Sequence, residues 1–191
     1  MMDKKDVLST NFYISDTHFG HANIIRYDNR PFKNTEEMDR ELIDRWNETV
    51  GDNDTVYILG DFSWHKEDGT IKVLDELAGN KVLIKGNHDR VSPQIAKRFI
   101  KVCDYLEIKD GDENVVMSHY PILFWNRQFY DSVHLYGHVH NSHQWNFCKS
   151  WQQELKEIQS IPMRMFNVGC MIPEIDYTPR TLQEILGRCL P

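Results

Sequence analysis

The chain has 191 residues, enough for one domain with a full core, and its apolar and charged fractions of 40% and 27% are ordinary for a water-soluble protein. A formal charge of −7 argues against a general polyanion binder, which would carry a basic stripe. No run approaches the roughly 20 apolar residues of a membrane span, residues 1–10 are charged rather than a signal peptide, and four scattered cysteines without CxxC pairing favour free thiols, so a cytoplasmic location is expected.

Residues 11–15 (NFYIS) read as a short apolar strand, followed directly by Asp16, Thr17 and His18. Residues 34–50 read as a helix: Asn34 suits the N-cap with Glu37 at N3, and Met38, Leu42, Trp46 and Val50 recur four apart. After the turn at Asp52, Asn53 and Asp54 comes a second buried strand, residues 55–59, ending in Gly60 and Asp61. Ile71, Leu74, Leu77 and Ala78 predict a shorter helix stopped by Gly79 and Asn80. Residues 81–85 form a third apolar run that stops at Gly86 and delivers Asn87, His88 and Asp89 in succession. Ser92 and Pro93 suit the N-cap and N1 of a helix with Ile95, Ala96, Phe99 and Ile100 inside it.

The pattern then changes. Apolar runs at 105–108 and 114–117 flank a turn segment at 109–113 and predict a hairpin whose second strand ends in Ser118 and His119. Residues 133–136 are a further run, ending in Gly137, His138, Val139 and His140. Residues 142–162 are a long excursion with Trp145, Phe147 and Trp151, then Leu155 and Ile158 at helical spacing within 150–159. The simplest reading is a surface excursion burying its own aromatics; a lid over a pocket or a dimer contact is the alternative. Residues 166–169 read as a last core strand, and Thr181 with Glu184 as the capping box of a terminal helix. Strands that first alternate with helices and later join by hairpins imply two sheets with helices outside.

Five apolar runs therefore each end in Asp, His or Asn: Asp16 and His18, Asp61, Asn87 and His88, His119, and His138 and His140. Loops at the carboxyl ends of buried strands converge, and ligands of open α/β sheets bind there. Imidazole with carboxylate is a ligand set for first-row metals such as Zn, Fe, Mn or Ni. In Asp-x-His and His-x-His, alternate side chains of an extended segment point the same way and can reach one centre.

This ordered set, over about residues 12–169, resembles the calcineurin-like metallophosphoesterase family. The resemblance implies an α/β protein of the four-layer α/β/β/α type, a single domain over residues 1–191 with an insertion at about 142–162. It also implies two divalent transition-metal ions, of Mn, Fe, Zn or Ni. Asp16, His18 and His140 would hold the first, Asn87, His119 and His138 the second, with Asp61 bridging them. His88 matches the family's catalytic histidine, and Asp89 is expected to orient it. The run His18-Phe19-Gly20-His21 is similar to that of small bacterial and phage-like members, and His21 and Arg26 are expected to meet the substrate's phosphate.

The chemistry fits these residue types. A phosphoester repels an attacking water and needs charge neutralised on its leaving oxygen; two ions roughly 3.5–4 Å apart can do both. Asn87 supplies a neutral carbonyl, limiting negative charge around a site that must accept an anion. An imidazole, with an ordinary pKa near 6.5, suits proton donation to the leaving alkoxide. The expected activity is hydrolysis of a small phosphoester, a diester slightly preferred over a monoester. A nuclease would want a basic groove, and a non-catalytic scaffold would be expected to lack some of these histidines. The expected partner is a small phosphoester, with nucleic acid not favoured, no membrane, and a homo-oligomer left open.

Overall fold

The computed structural model describes residues 9–159 and 163–189. The N-terminal half builds one sheet. Strands β1 (Asn11–Ile14), β2 (Thr55–Ile58), β3 (Asn80–Ile84) and β4 (Lys101–Cys103) lie in parallel, each paired with the next in sequence. Helices α1 (Ala22–Tyr27) and α2 (Thr35–Thr49) connect β1 to β2, α3 (Glu67–Glu76) connects β2 to β3, and α4 (Pro93–Ala96) connects β3 to β4. In α2 the Asn34 side chain accepts from Glu37 N at 2.9 Å, and the apolar stripe Met38, Leu42, Ile43 and Trp46 is buried.

The second sheet has the order β5-β6-β7-β8, from β5 (Tyr105–Asp110), β6 (Glu113–Ser118), β7 (Val133–Tyr136) and β8 (Met165–Asn167). β5 and β6 form the expected antiparallel hairpin, and β6, β7 and β8 run parallel. The chain then returns to the first sheet as β9 (Arg180–Thr181), antiparallel to β1, before helix α6 (Leu182–Cys189). The capping box forms in both directions: Glu184 N donates to Thr181 Oγ1 at 3.2 Å, and Thr181 N donates to Glu184 Oε2 at 2.9 Å.

Alternating residues of the second sheet enter two different cores. Val115, Met117, Val133, Leu135 and Phe166 face the main core shared with the first sheet and its helices. Val116, Tyr136 and Met165 face a smaller core with Trp125, Cys148 and Leu155. The last two belong to α5 (His143–Gln159), which supplies the outer layer over this sheet. Of the expected excursion, 160–162 lie outside the described residues, and 142–159 are almost all helix, starting several residues before the expected 150–159 stretch. Its Leu155 is buried and its Phe147 is 62% exposed. The two sheets with flanking helices give the four-layer α/β/β/α arrangement. No described helix is long and apolar enough to cross a membrane.

One expected helix is cut short. Ser92 caps α4 as read, accepting from Ile95 N at 3.2 Å, but the helix ends after one turn and Ile100 is 66% exposed. The N–H of Ile100 bonds Lys81 O at 2.9 Å, and the chain joins the sheet edge as β4. Pairing with a distant strand overrides the local helical pattern.

Candidate metal centre

The two sheets meet at the carboxyl ends of their parallel strands. Ser15 N bonds Val168 O at 2.8 Å and Cys170 N bonds Ser15 O at 2.9 Å, so the loop after β1 is fixed to both. Neighbouring loops are tied in turn: Asp16 N to Gly60 O, His18 N to Asp61 O, both at 3.0 Å, and Gly137 N to His119 O at 2.9 Å. The loops are so close that a Cβ at Gly86 would run into the Asp61 carboxylate, and one at Gly137 would lie 2.5 Å from Asp16 Oδ2. Five non-glycine residues here have left-handed backbone: Asp16, His18, Asp61, His138 and His140, with φ of 46–68°. Such conformations persist where the surroundings over-determine them, which is characteristic of functional sites.

Their side chains converge. Asp16, His18 and His140 each offer a ligand atom within 4.8 Å of the others, and so do Asp16, Asp61 and His119. The Nε2 atoms of His18 and His140 are 3.3 Å apart, and His140 Nε2 is 3.4 Å from Asp16 Oδ1. Asp61 Oδ2 stands between the two groups, 3.7 Å from His18 Nε2 and 3.6 Å from His119 Nε2. Two of the imidazoles have a fixed orientation. His119 Nδ1 donates to Leu59 O at 2.7 Å and His140 Nδ1 donates to the Asp28 carboxylate at 2.8 Å, so both Nε2 atoms face inward.

The His119 lone pair, pointing at Asp61 Oδ2 and at Asn87 Oδ1 3.1 Å from Nε2, is acceptor against acceptor. Such a cluster is repulsive until a cation sits within it, and its nitrogen and oxygen donors suit a first-row divalent ion. At His140 a second proton, rather than a lone pair, lies between Asp16 and Asp28. Burial opposes ionisation of Asp16, yet the hydrogen bond and charge of His140 hold its carboxyl well below the usual range. Burial alone would lower His140, but Asp16 and Asp28 outweigh it and raise its pKa to about 10. Burial lowers His18 to about 3. Asp16 and Asp28 thus draw positive charge to His140, whereas His18 stays neutral.

Residues 12–182 match the calcineurin-like phosphoesterase superfamily domain. The chain belongs to that superfamily. An uncharacterized protein of Methanocaldococcus jannaschii is 36% identical over 177 residues, 92% of this chain and 88% of the relative. The gene 66 protein of Mycobacterium phage D29 is 30% identical, over 70% of this chain and 80% of its own. A crystal structure of a protein of unknown function from Aquifex aeolicus superposes with a TM-score of 0.71 at 26% identity, covering 93% of this chain and 97% of the other.

Not every residue singled out from sequence lies where expected. His138 belongs to neither close group; its ring flanks His119 with centroids 5.1 Å apart, and its N–H donates to Asp16 Oδ2 at 3.1 Å. Asp89 does not hold the His88 ring. Its two oxygens accept from the backbone N–H of Gly86, Asp61 and Phe62 at 2.8–2.9 Å, so it fixes the loops after β2 and β3 to each other. One carboxylate thus satisfies three converging amides. His88 donates its N–H to Asp61 Oδ1 at 2.9 Å, and its exposed ring lies 6.1 Å from that of His18. His21 lies 5.5 Å from the His18 ring, whereas Arg26 is exposed with its guanidinium over Tyr27, 5.3 Å from the ring centre. The structure gives Arg26 no contact with the centre.

Two residues were not anticipated. Asp28 orients His140, and the buried Arg30 holds Asp28 at 3.0 Å while donating to Asp16 O at 2.8 Å and Thr17 O at 2.9 Å. Arg30 thus ties the first ligand loop to the support of the last. Beside the centre a cleft of about 570 Å³ is lined by Trp64, His65, Asn87, His88 and Arg90, among others.

Proposed function

We propose that the protein is a dinuclear metal-dependent phosphoesterase that cleaves diesters somewhat better than monoesters. The observation that carries this reading is the inward-facing ligand set of Asp16, His18, Asp61, His119 and His140 in a member of a phosphoesterase family. Asp16, His18 and His140 would hold one ion and Asn87, His119 and His138 the other, with Asp61 shared between them. The near-equal reach of Asp61 Oδ2 to His18 and His119 supports the shared role. Divalent ions bound there would supply Lewis acidity and an activated water.

The chain's own residues do the rest. His88, on the open side of the cluster, donates a proton to the leaving alkoxide, a role worth ~10²–10⁴-fold. Asp89 keeps the turn that presents His88 closed against the loop carrying Asp61. His21, whose ring lies 5.5 Å from that of His18, supplies a contact to the phosphoryl group. The cleft beside His88 has room for an organic leaving group. The unpaired thiols Cys103, Cys148 and Cys170 fit a cytoplasmic location. The partner is a small phosphoester, and the net charge of −7 does not favour nucleic acid.

Protein reconstituted with Mn²⁺ and assayed in parallel on an aryl phosphodiester, an aryl phosphomonoester and single-stranded DNA tests this. Turnover of the diester above that of the monoester, with little on DNA, is expected. Faster turnover of DNA than of either small ester would make the protein a nuclease, and no turnover of any would favour a scaffold.

A further inference from the structure

We propose that Trp64 is a stacking platform for the leaving alcohol, and that this alcohol carries a flat heteroaromatic ring with the chemistry of a nucleoside. The inference rests on the phosphoesterase reading above and names its substrate class.

Trp64 is held rigidly. Its N–H donates to Phe19 O at 2.8 Å, Ser63 before it forms a bridge with Phe19, and Thr70 of α3 bonds Ser63 Oγ at 3.0 Å. The indole is fixed as well, because His21 covers one face in a near-parallel stack, 4.2 Å between centroids and 10° between planes. Even so, 46% of Trp64 remains exposed. A large aromatic held still and left half open to water has surface to gain from a partner, and its fixed geometry means little freedom is lost on binding.

Its position specifies which part of the substrate it meets. The Trp64 ring is 4.7 Å from His88 and 6.4 Å from His18. The acid must reach the leaving oxygen, so the group beyond that oxygen passes His88 and enters the cleft of about 570 Å³ that Trp64 helps to line. A sugar face meets an indole through C–H groups alone, and an alkyl group covers it only in part. A flat ring covers it, and base–aromatic stacking typically contributes a tenfold or larger effect per base. The chain's net charge of −7 and the size of the cleft suit a single nucleotide unit rather than a strand.

The test uses two methyl phosphodiesters that differ only in the leaving alcohol, adenosine in one and ribose in the other. Both are given to metal-reconstituted wild type, Trp64→Leu and Trp64→Phe. The adenosine-to-ribose ratio of kcat/KM is expected to fall about tenfold in Trp64→Leu and to recover largely in Trp64→Phe. A general disturbance of the site would lower both esters and leave the ratio unchanged, which would overturn the proposal. Binding supplies a second readout independent of turnover: calorimetry with adenosine 5′-monophosphate and ribose 5-phosphate. Wild type should bind the nucleotide at least about tenfold more tightly, and Trp64→Leu should lose most of that margin. Equal binding of the two ligands by wild type would refute the stacking role even if both esters are cleaved. If neither ester is cleaved but the nucleotide margin depends on Trp64, the stacking site stands and the phosphoesterase reading fails.

Discussion

Replacing Asp28 removes the group that aims His140. Its carboxylate accepts from His140 Nδ1 at 2.8 and 3.0 Å and from Arg30 Nε and Nη2 at 3.1 and 3.0 Å. In Asp28→Ala the imidazole is free to turn or change tautomer, and its Nε2 atom no longer faces Asp16 and His18 by default. Partners of this kind are worth about 10–100-fold in metal affinity, or roughly 1.4–2.7 kcal/mol. A second cost falls on Arg30, whose side chain is fully buried and loses its carboxylate. It keeps two carbonyls, so the loss of stability should lie near the lower end of the ~3–5 kcal/mol found for a broken buried pair. Asp28→Asn separates the effects, since its Oδ1 can still accept from His140. Chelator competition for Mn²⁺, on samples shown to be folded by circular dichroism, gives the affinities. Asp28→Ala should weaken binding 10–100-fold and Asp28→Asn by less. Wild-type affinity in a folded Asp28→Ala protein would refute the orienting role.

His88→Ala should lower kcat on an alkyl diester by ~10²-fold or more while elemental analysis finds the metal content unchanged; undiminished turnover would remove His88 from the acid role. Asp61→Ala should lose more metal on desalting than a variant of any other single ligand, and full retention would mean that Asp61 does not bridge. His134, buried in β7, donates Nδ1–H to Val116 O at 3.1 Å and accepts Ile122 N–H at 3.0 Å, and burial depresses its pKa to about 4. Because the folded value lies below the unfolded value near 6.5, this contribution to stability is complete above pH 6.5 and is lost as pH falls towards 4, up to about 3 kcal/mol. Urea titrations across that window should show a flatter pH dependence in His134→Gln than in wild type, and parallel curves would contradict the assignment.

What the sequence made legible was local. Asp16, Asp61, Asn87, His119 and His138 each sit within a few residues of an apolar run, so the strand that positions them and the side chain that does chemistry are read together. The caps at Asn34, Ser92 and Thr181 were equally local, and all three formed. What stayed hidden depends on contacts far along the chain. Asp28 meets His140 across 112 residues, and Arg30 acts on backbone carbonyls, which leave no trace in side-chain patterns. The end of α4 was decided by Lys81 on another strand, not by Phe99 and Ile100. Asp89 was adjacent to His88 in sequence, yet its carboxylate turned to the backbone of a neighbouring loop. Trp64 acquires its meaning only from the ring of His21, which stacks on it from the loop after β1.

Dinuclear catalysis requires that two ions, held by these loops, be present for a phosphoester to be cleaved. Protein stripped by prolonged chelation should have no activity on an aryl phosphodiester. As Mn²⁺ is titrated back, turnover should climb and level off at two equivalents per chain. Activity that survives chelation, or that saturates at one equivalent, would contradict it.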